Sequence, residues 1–340
     1  MRTKVAVVGV TGYAGGELAR LLLGHPEVEL VAVIARSRQG DRLREVQPHL
    51  HAAPEGLRVG SDPGDAEVIF TALPAGEAAK LARGWLGEGR AIIDVGSDFR
   101  LKDPLAYDRW YGYAHPAPEL LARSVYGLTE FARDELRSAR LIANPGCYPT
   151  ASLLALAPAI RAGLIGGDIV VDAKAGVSGA GRVVDESFLY GSIDGSVRTY
   201  GAPRHRHTPE IAQQVAALGQ VAARVTFTPH LVPMTRGLIA TCYGTLRDGV
   251  TPAIVADAYA QAYADEPFVR VLDAFPASKA TLGSNWCLVH AVVDEAAGRL
   301  IAVAAIDNLV KGAAGSAIQN LNASRGYPEA RGLEALPLWP

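Results

Sequence analysis

Short apolar runs alternating with helically spaced segments constrain the fold of this 340-residue chain more than any other feature. Val5 to Gly9 is an apolar run closed by glycine, and Glu17 to Leu23 then carries apolar residues at helical spacing. Val28 to Ala35, Val68 to Leu73 and Ala91 to Val95 repeat the strand-like signature through the first third of the chain. Strands that alternate with helices predict an α/β arrangement, a parallel sheet with helices on both faces. Beyond Cys147 the pattern changes. Ile169 to Ala175, Val225 to Val232, Gly237 to Leu246, Leu288 to Val293 and Leu300 to Ile306 are strand-like, with fewer helices between them. A second, α+β domain with a large mixed or antiparallel sheet is expected there. The length also suits two cores better than one. A last helix is expected over Val310 to Asn322, followed by a Pro- and Gly-rich tail after Arg325 that wraps the surface.

The formal charge of -2, from 33 basic and 35 acidic residues, offers no basic field for nucleic acid or an anionic membrane. No stretch reaches the roughly 18 apolar residues of a membrane span, and the start reads as a strand, not a secretory signal. Cys147, Cys242 and Cys287 are odd in number and widely spaced. That argues against a disulfide framework and for the reducing cytoplasm. No Cys or His pair has zinc-ligand spacing with partners to match, so no metal is expected.

Gly9, Thr11, Gly12, Tyr13, Ala14 and Gly15 form a glycine-rich turn between the first strand and the first helix. Glycines let backbone approach a pyrophosphate, and the helix N-terminus offers it unpaired N–H groups. At the end of the second strand, where an NAD site usually has an acid, the chain reads Arg36-Ser37-Arg38. Two guanidinium groups and a hydroxyl suit a 2′-phosphate, so NADP is the expected cofactor.

Cys147 follows the strand-like Leu141-Ile142-Ala143 and precedes a helical pattern from Ala151 to Ile160, with Pro149 suited to the first turn. A cysteine at a helix N-terminus is a competent nucleophile because the helix dipole favours its thiolate. Cys242 and Cys287 lie inside apolar strand patterns and read as buried small hydrophobes. The one histidine cluster is Arg204-His205-Arg206-His207-Thr208-Pro209-Glu210. Either imidazole could serve as acid and base, with Glu210 orienting it. Spacing leaves the choice between His205 and His207 open.

Together these segments resemble N-acetyl-γ-glutamyl-phosphate reductase, a family of arginine biosynthesis. The resemblance rests on Ala143-Asn144-Pro145-Gly146-Cys147-Tyr148-Pro149-Thr150, Gly176-Val177-Ser178-Gly179-Ala180-Gly181-Arg182 and His205 to Glu210. Pro229 to Gly237, Asp307-Asn308-Leu309-Val310-Lys311-Gly312, Asp98 to Leu101 and Tyr126 to Leu128 extend it from residue 4 to about 325. It implies a Rossmann-type doubly wound sheet over 1–146 and 308–340, and a catalytic and dimerisation domain over 147–307. It also implies Asn308 near the nicotinamide, a thioester on Cys147, and a homo-oligomer, dimer or tetramer. The small acyl-phosphate substrate carries a phosphate and a carboxylate, which makes Arg100, Arg206 and Arg236 candidate binders. Ser178 and Gly179 are expected to line the same site. Aspartate-semialdehyde dehydrogenase shares the chemistry, and so does reduction of carrier-protein-bound aminoadipyl phosphate in lysine biosynthesis. The Pro-Gly-Cys-Tyr-Pro-Thr context and the Val177 to Arg182 run favour the arginine branch over both. An NADP-binding sensor without catalysis is the reading from another class, and a Cys147 accompanied by His205, His207 and Glu210 argues against it.

Overall fold

A computed structural model describes residues 2–182 and 184–339. The chain forms two compact units, Met1–Gly146 with Ala313–Ala335, and Cys147–Gly312 with Leu336–Pro340. Residues 308–312 and 336–340 thus group with the second unit. The Asn308 side chain is bonded to Ser178 and to the Gly237 amide, and the Leu338 amide to Leu282 O, all within that unit. The helices used below are α1 (Tyr13–Leu23), α2 (Glu77–Gly87), α3 (Cys147–Arg161), α4 (His207–Gly219), α5 (Pro252–Tyr263) and α6 (Gly315–Arg325).

The first unit holds β1 (Thr3–Val8), β2 (Val28–Ile34), β3 (Val59–Gly60), β4 (Val68–Thr71), β5 (Ala91–Asp94), β6 (Val125–Tyr126) and β7 (Leu141–Ala143). They form one sheet in the order β3-β2-β1-β4-β5-β7-β6, and every pairing is parallel. All of β4 and nearly all of β1 are buried, as strands covered on both faces must be. Helix α2 packs Ala78, Ala79 and Ala82 in a cluster with Ile92 and Phe99. The order reverses at β1, between β2 and β4, and such switch points are where doubly wound sheets bind ligands.

Helix α6 is polar in sequence yet buried from Gly315 to Asn322. Its amides are satisfied internally. Asn320 Nδ2 donates to Gly127 O at 2.8 Å and to Asn144 Oδ1 at 3.0 Å, while Thr129 Oγ1 donates to Asn320 Oδ1 at 2.8 Å. The expected single helix from Val310 begins instead as a π-turn over Val310–Ala314.

The second unit holds β8 (Ile165–Gly176), β9 (Arg198–Thr199), β10 (Arg224–Val232), β11 (Leu238–Leu246), β12 (Val269–Val271), β13 (Cys287–Asp294) and β14 (Arg299–Ile306). The order is β12-β13-β14-β11-β8-β10-β9. The sheet is mixed, with β8/β10 and β12/β13 parallel and the remaining pairs antiparallel. Helices α3, α4 and α5 cover one face. Strand β11 accordingly alternates buried and half-buried residues. Helix α3 is buried from Tyr148 to Ile160. No helix among the described residues is long and apolar enough to cross a membrane.

Candidate active site

The glycine turn is dictated by space. At Gly9 (φ +95°) an added Cβ would lie 2.3 Å from Ala72 O, and at Gly15 it would lie 2.2 Å from Gly9 O. Only glycine lets the β1–α1 turn pass this close to the end of β4. The Gly9 and Val10 amides both donate to Ile34 O, which ties the turn to the end of β2. Gly12 caps α1 with no side-chain hydrogen bond, and the first-turn N–H groups of a helix are suited to an anion. Thr11, Gly12 and Ala14 are half-buried there, and Tyr13 is exposed. Just beyond β2, Arg36, Ser37 and Arg38 are exposed. Arg36 pairs with Glu77, and Arg38 with Asp41. A glycine-capped helix N-terminus, with two exposed guanidinium groups just past the end of β2 to which the turn is bonded, fits the pyrophosphate and 2′-phosphate of NADP.

Arg100 also lies in the first unit. It is buried, with Nε donating to Asn144 O at 2.8 Å and Nη2 to Val95 O at 2.9 Å. These bonds brace the loop that leaves β7.

In the second unit Cys147 is the first residue of α3 and is half-buried. Next to it in sequence, the Tyr148 hydroxyl lies 3.0 Å from that of Tyr200. The Tyr148 ring packs edge-on against both imidazoles, 5.9 Å from His205 and 5.9 Å from His207. The two imidazoles are themselves 4.9 Å apart, and Phe227 closes the group behind Tyr148 and His205. Burial pushes the Tyr148 phenol up, and pushes Tyr200 up to about 12 with Cys147 acting in the same direction. Both tyrosines therefore stay protonated at neutral pH.

The surroundings fix the tautomer of His205. The His207 backbone N–H donates to His205 Nδ1 at 3.1 Å, so neutral His205 carries its proton on Nε2. Burial, helped by the Arg206 charge, holds His205 down at about 4. His207 opens α4, and Glu210 sits fully buried in the same first turn. Arg206 is exposed at the head of α4.

Asn308 is buried, with Oδ1 accepting from the Gly237 amide at 2.8 Å and Nδ2 donating to Ser178 Oγ at 2.9 Å. Gly179 lies alongside, since a Cβ there would be 3.7 Å from Asn308 Nδ2. Arg236 Nη1 lies 3.6 Å from buried Asp307. The second unit thus gathers one cluster around Cys147, Tyr148 and the imidazoles, and another around Asn308 and Ser178. Tyr200 went unnoticed in sequence because it follows the two-residue β9 in an otherwise featureless stretch. Tyr148 stood inside a recognised motif but carried no role. No group of three His, Cys, Asp or Glu among the described residues could hold a metal ion.

A doubly wound nucleotide domain joined to a mixed-sheet domain that opens on a cysteine is the architecture of semialdehyde dehydrogenases. Residues 4–139 match the family model "Semialdehyde dehydrogenase, NAD binding domain", and residues 147–308 match "Semialdehyde dehydrogenase, dimerisation domain". Among solved structures, aspartate semialdehyde dehydrogenase II from Vibrio cholerae superposes with a TM-score of 0.73 at 18% identity, covering 96% of this chain and 100% of that one. The Candida albicans aspartate semialdehyde dehydrogenase, solved with NADP, gives 0.68 at 16% identity, covering 96% and 99%. These two show the shared fold. N-acetyl-gamma-glutamyl-phosphate reductase from a Dehalococcoides mccartyi strain is 47% identical over 338 residues, 99% of each chain. The Symbiobacterium thermophilum protein of that name is 46% identical over 354 residues, 100% of each chain. The chain belongs to the N-acetyl-γ-glutamyl-phosphate reductase family.

Proposed function

We propose that the protein reduces N-acetyl-γ-glutamyl phosphate to N-acetylglutamate γ-semialdehyde with release of phosphate, using NADPH, in cytoplasmic arginine biosynthesis. Identity of 47% across nearly the whole of a reductase of this name carries the reading. The cysteine at the head of α3 supplies its chemistry. The Cys147 thiolate attacks the acyl carbon, and phosphate leaves with the electron pair of the broken C–O bond. The product is a thioester on Cys147. Backbone N–H groups at the start of α3 favour the developing oxyanion. When bound, the dinucleotide supplies a hydride to that thioester. Gly9, Thr11, Gly12, Tyr13, Ala14 and Gly15 would hold its pyrophosphate, and Arg36, Ser37 and Arg38 its 2′-phosphate, with Asn308 serving the nicotinamide.

The two histidines divide the remaining work. His205, held down at about 4 by burial and with Nδ1 accepting the His207 amide, suits a neutral Nε2–H donor to the substrate. His207 then gives the proton to the thiohemiacetal oxygen and takes it back as the thiolate leaves, with Glu210 orienting it. Arg206, Arg236, Ser178 and Gly179 are proposed for the anionic ends of the substrate. Arg100 serves them indirectly, through the loop it braces.

The protein is also proposed to self-associate through the second sheet's uncovered face. There Tyr243 is paired in register with Val170 and with Ile301, making an apolar strip across three strands. Val170 is 37% exposed in the single chain. A monomer mass in solution would refute this assembly.

The deciding assay runs in reverse, following NADPH formation from N-acetylglutamate semialdehyde, phosphate and NADP, with aspartate semialdehyde and NAD in parallel. Phosphate-dependent turnover of the acetylated substrate with NADP is expected, and activity on aspartate semialdehyde alone would overturn the substrate. Cys147→Ser is expected to abolish turnover while still binding NADPH, and retained turnover would refute the thioester route.

A further inference from the structure

We propose that Gly312 is a positioning residue for Cys147, and that the π-turn over Val310–Ala314 is what brings its bare Cα against the nucleophile. The proposal rests on reading Cys147 as the nucleophile. Residues 307–312 carried the family resemblance, but no individual role attaches to the glycine.

The turn is built from the end of β14. The Gly312 amide donates to Asp307 O at 2.9 Å, a span of five residues where an α-helix would reach back only four. Asp307 is fully buried and anchors this entry from both carboxylate oxygens. Oδ1 accepts from the Leu309 and Val310 amides at 2.8 and 3.1 Å, and Oδ2 accepts from the Gly283 amide at 2.7 Å. The extra residue in the turn rotates the succeeding positions by about 100° relative to an α-helix. Gly312, inside this turn, faces Cys147 and is the position that lacks a side chain.

At position 312 an added Cβ would lie 2.8 Å from Cys147 Cβ, 3.2 Å from Cys147 Cα and 3.3 Å from Ile306 Cδ1. Carbon atoms pack at about 3.5–4.0 Å, so the first two approaches cannot be accommodated in place. The Ile306 methyl can rotate away, but Cys147 can yield only by shifting the head of α3 against a helix buried from Tyr148 to Ile160. A methyl at 312 therefore displaces the head of α3 and closes part of the space around Cys147 Cβ into which Sγ can point. Nucleophilic attack depends on that direction, and a misplacement of about 1 Å can cost on the order of 100-fold in rate.

The test compares Gly312→Ala, Cys147→Ser, Cys147→Gly and the double variant Cys147→Gly/Gly312→Ala. Gly312→Ala is expected to lower kcat by on the order of tenfold or more, with KM for NADP unchanged. Its alkylation by iodoacetamide should slow, and the pH midpoint of that reaction should move, which a loss of folded protein alone would not do. Its melting temperature should fall, and this penalty should shrink in the Cys147→Gly background, where the nearest opposing atom, Cβ, is gone and only the longer approach to Cα remains. A soluble Gly312→Ala protein with wild-type kcat and alkylation profile overturns the proposal. So does an equal melting penalty in both backgrounds, a comparison that stands even if Gly312→Ala alone accumulates poorly. Turnover by Cys147→Ser would instead sink the nucleophile reading, while the melting comparison still decides the contact.

Discussion

Replacing Tyr263 by Phe removes one oxygen atom and exposes a debt left by a proline. Pro158 lies inside α3 near its C-terminal end, so the Leu154 carbonyl, four residues earlier, lacks its helical N–H donor. The Tyr263 hydroxyl, on α5, donates to that carbonyl at 2.5 Å, and both residues are buried. Without the hydroxyl a core acceptor loses its donor, which costs about 1–3 kcal/mol. Total stability is only about 5–15 kcal/mol, so the loss is readily measured. Pro158→Ala returns an amide to Leu154. In that background Tyr263→Phe should cost only the ~0.5–1.5 kcal/mol of an ordinary hydrogen bond. Tyr259 provides an internal control. Its hydroxyl donates to Ala155 O at 2.5 Å, but Ala159 keeps the amide that completes the helical bond there, so Tyr259→Phe should cost less. Urea unfolding of the wild type, both Tyr→Phe variants, Pro158→Ala and Pro158→Ala/Tyr263→Phe, at one protein concentration, reads out these differences. An equal penalty for Tyr263→Phe with and without Pro158 would refute the compensation.

Two further outcomes stem from charge. Unfolded histidine takes up its proton near pH 6.5, whereas folded His205 resists until about 4, so this group costs stability as pH falls through that window. The loss approaches about 3 kcal/mol at the acid end. His205→Gln should abolish that part of the slope, and parallel pH–stability curves for wild type and variant would contradict it. Arg36→Ala/Arg38→Ala should raise KM for NADPH on the order of tenfold while leaving NADH nearly unaffected. Equal effects on both cofactors would remove the 2′-phosphate from these side chains.

Much of this protein was legible in sequence because the relevant physics is local. The apolar runs from Val5 to Val95 marked parallel strands, since a strand covered on both faces must be apolar at consecutive positions. Gly9 and Gly15 marked a turn that no side chain could enter. Cys147 was placed at the head of a helix by the strand before it and the apolar pattern after it. Tertiary structure alone decided the rest, because those features depend on partners far away in the chain. Helix α6 hides a polar sequence by pairing Asn320 with Asn144, 176 residues apart. The Asp307 carboxylate, bonded to the Gly283 amide 24 residues back, anchors a π-turn where helical spacing predicted an ordinary helix. His205 and His207, level on spacing, differ in surroundings that the sequence does not show. Tyr148 packs against both imidazoles, whereas Tyr200 and Phe227 pack against His205, and a local amide bond occupies its Nδ1. Periodicity records which face of a segment is buried, but not which side chain lies against it, and a proton's affinity for an imidazole depends on the latter.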